Sequence, residues 1–387
     1  MLSTRLLSAV LLASAPFGSP LQVLLVGGGP DLQHNQVAIE SNVRYLERIL
    51  PTDSQRRILF ADGRLDSRTV LYKNSRNADT YRRTEIERLD GPAQLDSVKG
   101  ELASLSGRLA NDPGEPVLLY FTGHGSPDEP HYNNNRYDLW GSGELTVRQL
   151  AESVQSFPVS NPVVLVMVEC FSGAFGNVIF ENGQPNGPLS DHPICGFFAS
   201  VPQRMAAGCT PNVNEADYRD FTGYFFAALS GTDRLGRPVV GADYNHDGRI
   251  GMDEAFAYTL LHDDSIDTPV CTSDVFLRRF VRTPDEQVFA TPFSSVQRWA
   301  SPGQRAALDG LASRLHYEGE GCLHDAYDDF QRTNSDSETD RAVRLIRFVR
   351  LAKSIALAHE LRATGGEPIR RRFEALVRME SGNPLRG

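Results

Sequence analysis

Two short runs without a single polar residue constrain this chain more than any other feature. Val117-Leu118-Leu119-Tyr120-Phe121 leads into Thr122-Gly123-His124-Gly125, and Val163 to Val168 leads into Glu169-Cys170-Phe171-Ser172-Gly173. A strand with one wet face alternates apolar and polar positions. Runs this short that are apolar throughout are strands covered on both faces. Such strands belong to a mostly parallel central sheet flanked by helices, an α/β fold. In open sheets of that kind, functional groups gather beyond the carboxyl ends of the strands. His124 and Cys170 both stand there.

The rest of the chain fits this frame. Leu21 to Val26 reads as a first strand, ending in Gly27-Gly28-Gly29-Pro30, with a helix from Val37 to Leu50 and a strand from Arg57 to Ala61. The G-x-G-x-x-G spacing of a dinucleotide site is missing, and Pro30 follows the glycines at once. A polar loop is expected from Ser126 to Gly143, then a helix opened by Thr146 and Gln149 as a capping box. The segment from Asn177 to Gln203, rich in Gly, Pro and Asn, reads as a surface loop open to processing, Arg204 to Cys209 as a strand, and Phe221 to Leu229 as a helix. From Pro302 onward the pattern is helical. Between Arg341 and Arg362, Val343, Ile346, Val349 and Ala352 fall on one helix face, the pattern of a packing helix.

A thiolate is the effective nucleophile of cysteine chemistry, and an imidazole can take its proton and return it to a leaving amine. Gly125 lets a carbonyl approach closely, and its N–H together with that of Cys170 is placed to hold an oxyanion. These residues resemble the caspase–legumain superfamily of cysteine peptidases, and bacterial legumain-like members in particular. The resemblance rests on a strand plus His124-Gly125 and, 46 residues on, a strand plus Cys170-Phe171-Ser172-Gly173. It covers residues 21–280.

The resemblance implies a caspase-like sandwich and a Cys170–His124 dyad that hydrolyses peptide bonds through a thioester. A peptide or protein is then the substrate, with a mostly helical extension over residues 281–387. It also implies an S1 pocket shaped by His34 and Asn35 after the first strand and by the stretch from Cys209 to Asp217, where Glu215 and Asp217 favour a basic P1 residue if they point inward. One departure stands out. Legumain-like members often carry an acidic residue two positions before the cysteine, where this chain has Val168, with Glu169 adjacent instead. A transpeptidase or ligase would use the same dyad, and a catalytically silent member would only bind peptide or calcium.

Asp243-Tyr244-Asn245-His246-Asp247-Gly248-Arg249-Ile250-Gly251-Met252-Asp253-Glu254 is a second, independent motif. It follows the calcium loop D-x-[DN]-x-[DN]-G with Glu at position twelve. Side chains of Asp243, Asn245 and Asp247, the Arg249 carbonyl and the Glu254 carboxylate would wrap a structural Ca2+. No helix is expected to lead into the loop, whereas one is expected to leave it.

Arg5, the apolar run from Leu6 to Ala13 and the Ala13-Ser14-Ala15 triplet have the make-up of a signal peptide over residues 1–18, although Pro16 disfavours a cut directly before it. Export would suit two disulfides among the four cysteines other than Cys170, with Cys195–Cys209 and Cys271–Cys322 the simplest pairing. Beyond the N-terminus no run reaches the roughly 20 apolar residues of a membrane span, which leaves a soluble periplasmic or extracellular protein. A net charge of -10 without a basic stripe excludes nucleic acid as a partner.

Overall fold

The computed structural model describes residues 20–334 and 336–386, so the expected signal peptide lies outside the described residues. The strands are β1 (Gln22–Gly28), β2 (Gln55–Phe60), β3 (Val70–Lys73), β4 (Asp79–Arg82), β5 (Val117–Ser126), β6 (Arg136–Leu139), β7 (Gly143–Thr146), β8 (Val163–Val168), β9 (Ile194–Phe198) and β10 (Val270–Cys271). The helices through the first two thirds are α1 (Val37–Ile49), α2 (Leu95–Leu109), α3 (Val147–Val154), α4 (Phe221–Ser230), α5 (Met252–His262) and α6 (Thr272–Phe280). Six more follow: α7 (Asp285–Phe289), α8 (Phe293–Trp299), α9 (Pro302–Leu315), α10 (Cys322–Arg332), α11 (Asp340–Thr364) and α12 (Glu367–Glu380).

The central sheet runs in the order β10-β9-β8-β5-β1-β2. Every pairing from β9 to β2 is parallel, and only the edge strand β10 is antiparallel. Alternate residues feed two cores. Leu118 and Tyr120 of β5 and Val164, Val166 and Val168 of β8 pack with α1, α4 and the C-terminal helices. Val117, Leu119 and Phe121, with Val163, Leu165 and Met167, pack with α2 and α3. Burying an aromatic side chain such as Phe121 or Phe225 removes enough apolar surface to contribute ~2–3 kcal/mol. Covering both faces is what the unbroken apolar runs require, and it gives the expected mostly parallel α/β sandwich.

Several expectations need correction. The polar loop after His124 folds back as the β6–β7 hairpin, and β6 pairs antiparallel with the end of β5. Asn177 to Gln203 is no surface loop: Ser172–Ile179 is a buried 3₁₀ stretch and Ile194–Phe198 is a fully buried strand. The Gly, Pro and Asn of residues 182–188 masked a strand of only five residues. Arg204 to Cys209 forms no strand: Met205 O accepts from Ser200 Oγ, Ala206 N donates to Cys170 Sγ and Ala207 N to Asp267 Oδ1, so these groups pair with side chains and not with a neighbouring strand. The capping box of α3 is present, Gln149 N donating to Thr146 Oγ1 at 3.2 Å.

The five cysteines are all free, in place of the expected Cys195–Cys209 and Cys271–Cys322 bridges. Cys195 pairs with Val164 near the amino end of its strand, whereas the Cys209 thiol donates to Gly123 O at 3.3 Å, at the carboxyl end of β5. The two sulfurs therefore lie toward opposite ends of the sheet. The Cys271 sulfur is bonded to Ser273 Oγ at 3.2 Å.

The C-terminal helices share the core of the α1/α4 face. Helix α11 packs on α6 and α9, and α12 on α6 and β9. Among the described residues no helix is long and apolar enough to cross a membrane. At the end of α12, buried Glu380 accepts from Thr272 Oγ1 and Ser273 N, both at 2.7 Å, and so caps α6, whose own N-cap side chain makes no cap bond. Burial raises its carboxyl to about 7, from 4.5, against those hydrogen bonds. A carboxyl raised in the folded state contributes stability that is complete below the unfolded pKa and is lost as pH rises through the folded one. Glu380→Gln keeps the acceptor without the charge. Parent stability relative to this variant is expected to fall by ~3 kcal/mol between about pH 4.5 and pH 8. Urea unfolding of both proteins across that range checks it, and parallel curves would contradict the assignment.

Candidate active site

The register sets the site. Thr122 and Val168 are the last parallel pair of β5 and β8, so His124, still within β5, and Cys170, just past β8, each follow that pair by two residues. Alternation directs both toward the α1/α4 face. His124 Nε2 is 3.0 Å from Gln36 Oε1 at the start of α1, so with the amide oxygen as acceptor Nε2 carries the proton and Nδ1 is left to exchange one. His34 packs edge-on against it, ring centroids 5.4 Å apart, and is held in turn by Asp31 Oδ1 at 2.8 Å from its Nδ1. Burial, with the His34 charge second, lowers the His124 pKa, so the imidazole is neutral at neutral pH.

Cys170 is half-buried. Ala206 N donates to its sulfur at 3.3 Å, and the thiol reaches Ala206 O at 3.7 Å. Burial raises this thiol above its ordinary range. The resting pair is thus a neutral thiol and a neutral imidazole, an arrangement in which the base takes the proton as the sulfur attacks. Phe171 adopts a left-handed conformation, φ 63°, and turns the chain into the 3₁₀ stretch. Gly173 serves close packing: a Cβ there would lie 2.5 Å from Ser200 O.

Gly125 is where β5 passes over the nucleophile turn. A Cβ on it would lie 2.4 Å from Cys170 O and 2.7 Å from Glu169 Cγ, so no larger residue fits. Glu169 points to the opposite face of the sheet from Cys170. Neither carboxyl oxygen has a hydrogen-bond partner among the described residues, and burial, then Asp138, pushes its pKa well above the usual range. It is a neutral acid behind the site.

The expected S1 residues separate. Half-exposed His34 lies against His124. Asn35 is fully buried, its amide spent on Gly29 N at 3.3 Å and Thr69 O at 3.0 Å, which leaves it no surface to offer a substrate. Glu215 accepts from Ser41 Oγ of α1 at 2.7 Å, and Asp217 accepts from Asn212 and Asn214 Nδ2 within its own exposed turn. Their bonds do not run to the dyad. Sequence reasoning missed Gln36, although it adjoins the polar pair singled out. It also missed Ala206 and Asp267, whose carboxylate accepts from Ala207 N at 2.6 Å and Phe221 N at 2.9 Å. Those roles depend on chain closure and leave no local pattern.

The loop from Asp243 to Glu254 lies between α4 and α5, with no helix leading in and α5 leading out. Its acidic side chains turn inward. Asp243 accepts from Asp247 N and Gly248 N, Asn245 from Asp247 N, Asp247 from Arg249 N, and Glu254 from Tyr244, Asn245 and Gly251 N. Left-handed His246 and Gly248, φ 60° and 82°, make the turn. Among the described residues no three His, Cys, Asp and Glu side chains are gathered into a metal-binding group. The donor set is nevertheless all oxygen, as a hard cation requires.

No family model matches the sequence, and no curated protein matches it. Solved structures do. A Geobacter sulfurreducens protein is similar at 15% identity over 65% of this chain and 92% of its own, with a TM-score of 0.36. A secreted C11 cysteine protease from Bacteroides thetaiotaomicron, solved with an irreversible peptide inhibitor, is similar at 11% identity over 81% and 83%, TM-score 0.30. Raptor from Chaetomium thermophilum is similar at 11% over 93% and 38%, TM-score 0.33. At these scores the likeness carries nothing about activity.

Proposed function

We propose that this chain is an exported cysteine endopeptidase that cleaves peptide bonds through Cys170 and His124. The observation that carries the reading is the level placement of these two residues two positions past the last parallel pair of β5 and β8, with Gly125 closing over the nucleophile turn. Cys170 attacks the scissile carbonyl as its proton passes to His124, and the tetrahedral oxyanion is held by the N–H groups of Gly125 and Cys170. His124 then protonates the leaving amine, and water releases the acyl group. Export rests on residues 5–15 alone, since the free cysteines lend it nothing.

The test is a fluorogenic peptide library varied at P1, run beside an irreversible peptidyl electrophile. Cleavage of part of the library, with the electrophile's mass mapped to Cys170, is expected. A label confined to another cysteine, or no cleavage at all, would remove the reading.

The loop from Asp243 to Glu254 is proposed to hold a structural Ca2+ through Asp243, Asn245, Asp247, the Arg249 carbonyl and Glu254. The tail clamps the loop's exit: Asn383 Nδ2 donates to Leu229 O and Ile250 O, and Met252 N donates to Gly382 O. At calcium about 100-fold above Kd, binding adds ~2.7 kcal/mol of stability. Chelation is therefore expected to lower the melting temperature by several degrees, with calcium but not magnesium restoring it. An unchanged melting curve counts against the site.

A further inference from the structure

A cavity of ≈ 320 Å³ opens against the stretch that follows the nucleophile turn. Its inner wall is Gly173 and Pro202. Those segments also hold Cys170 in place: Phe171 N donates to Arg204 O at 2.8 Å, and Asn135 Nδ2 donates to Phe171 O and Pro202 O, both at 2.9 Å. The outer wall is basic, with Arg278 and Arg279 from α6, Arg282 just beyond it and Arg350 from α11, against one acid, Asp274.

That acid is already committed. Arg278 Nη1, Arg350 Nη2 and Ser354 Oγ all converge on the Asp274 carboxylate. Three further guanidinium nitrogens, Arg278 Nη2, Arg279 Nε and Arg350 Nε, are buried with no acceptor among the described residues, while Arg279 Nη2 donates to Asn186 O at 3.3 Å. A buried charged donor without an acceptor is destabilising, and an incoming anion relieves it. Around this one cavity four arginines face a single carboxylate, in a chain of net charge -10. Burial, opposed by Asp274 and aided by the Arg350 charge, lowers the Arg278 pKa to about 10. Arg282, Asn186 and Asn133 are exposed at the rim, so the cavity is open to solvent.

We infer that this cavity is a carboxylate-binding subsite, which receives an acidic side chain of the peptide substrate while the scissile bond lies at Cys170. The planar, forked guanidinium groups match a carboxylate. Gly173, three residues after Cys170, and Pro202, whose carbonyl shares the Asn135 amide with Phe171 O, line the cavity and tie it to the nucleophile turn. The inference rests on the peptidase reading for the identity of the substrate, whereas the anion site itself does not.

The test uses the full chain. Fluorescence anisotropy of a labelled glutamate-rich peptide and of its glutamine counterpart is measured on Cys170→Ala, and kcat/KM for the same pair on the active protein. The variant Arg279→Gln/Arg282→Gln, called the rim variant, leaves Arg278, Arg350 and the Asp274 they share in place and is expected to fold. The acidic peptide should bind about 10-fold or more tighter than the neutral one, and the rim variant should lose that preference, as should high salt. Equal binding and equal cleavage of the two peptides would overturn the subsite while leaving the peptidase reading intact. Arginine-dependent binding without cleavage would sink the peptidase reading and keep the anion site. Inorganic phosphate raising the melting temperature in an Arg279- and Arg282-dependent way, with no preference for the acidic peptide, would overturn the substrate assignment.

Discussion

Cys170→Ala lowers kcat/KM for peptide cleavage by about 10^4-fold or more, while stability stays within about 1 kcal/mol of the parent. The Cys170 sulfur forms the acyl bond in the proposed reaction, and the second thiol at these strand ends, Cys209, is bonded to Gly123 O at 3.3 Å. The structural contribution of Cys170 is small, a half-buried side chain whose hydrogen bonds go only to the Ala206 backbone. His124→Ala is expected to approach the same loss, and the double variant to be no worse than Cys170→Ala, because the imidazole acts only on the proton of that thiol. Burial and His34 lower the His124 pKa, so the acid limb of kcat/KM should lie below the ordinary histidine value of about 6.5. Initial rates on a fluorogenic peptide, beside melting curves, check all of this. Cleavage by Cys170→Ala within tenfold of the parent would remove the dyad.

What was legible in the sequence follows from where each interaction is encoded. The parallel sheet and the height of His124 and Cys170 were legible because apolar runs and their endpoints are local: Val117 to Phe121 and Val163 to Val168 predict covered strands whatever else the chain does. The capping box of α3 is equally local. By contrast, β9 was missed because Ile194–Phe198 is short and follows a stretch whose composition imitates a loop. The β6–β7 hairpin was missed because its polar residues lie over the end of β5. The disulfides failed on geometry, since a count of cysteines does not say at which end of the sheet each one falls. Asn35 illustrates the same limit, a polar loop residue that folding buries completely.

Arg347→Met is expected to lower stability by about 3–5 kcal/mol, although it lies 177 positions beyond the nucleophile. Arg347 is 2% exposed on α11 and reaches across to the loop between α5 and β10. Its Nε donates to Asp267 O at 2.8 Å, Nη1 to Asp263 O at 2.5 Å and Nη2 to Ser265 O at 3.2 Å, with an ion pair to Asp263 Oδ2 at 3.5 Å. Methionine keeps much of the apolar stem but leaves these carbonyls without their donor and two buried carboxyls without their cation. Burial already raises both Asp263 and Asp267, and losing Arg347 raises them further. The consequence reaches the active site through three covalently short steps. Arg347 fixes the loop, the Asp267 carboxylate fixes Ala207 N, and the adjoining Ala206 N bonds the Cys170 sulfur. Below its lowered melting temperature the variant should therefore lose kcat more than it raises KM, and Arg347→Lys should recover part of the loss. Unfolding curves and steady-state rates on the folded protein check this. A parent-like melting temperature and kcat in Arg347→Met would mean that the C-terminal helices only cover the sheet, and that the nucleophile loop stands without them.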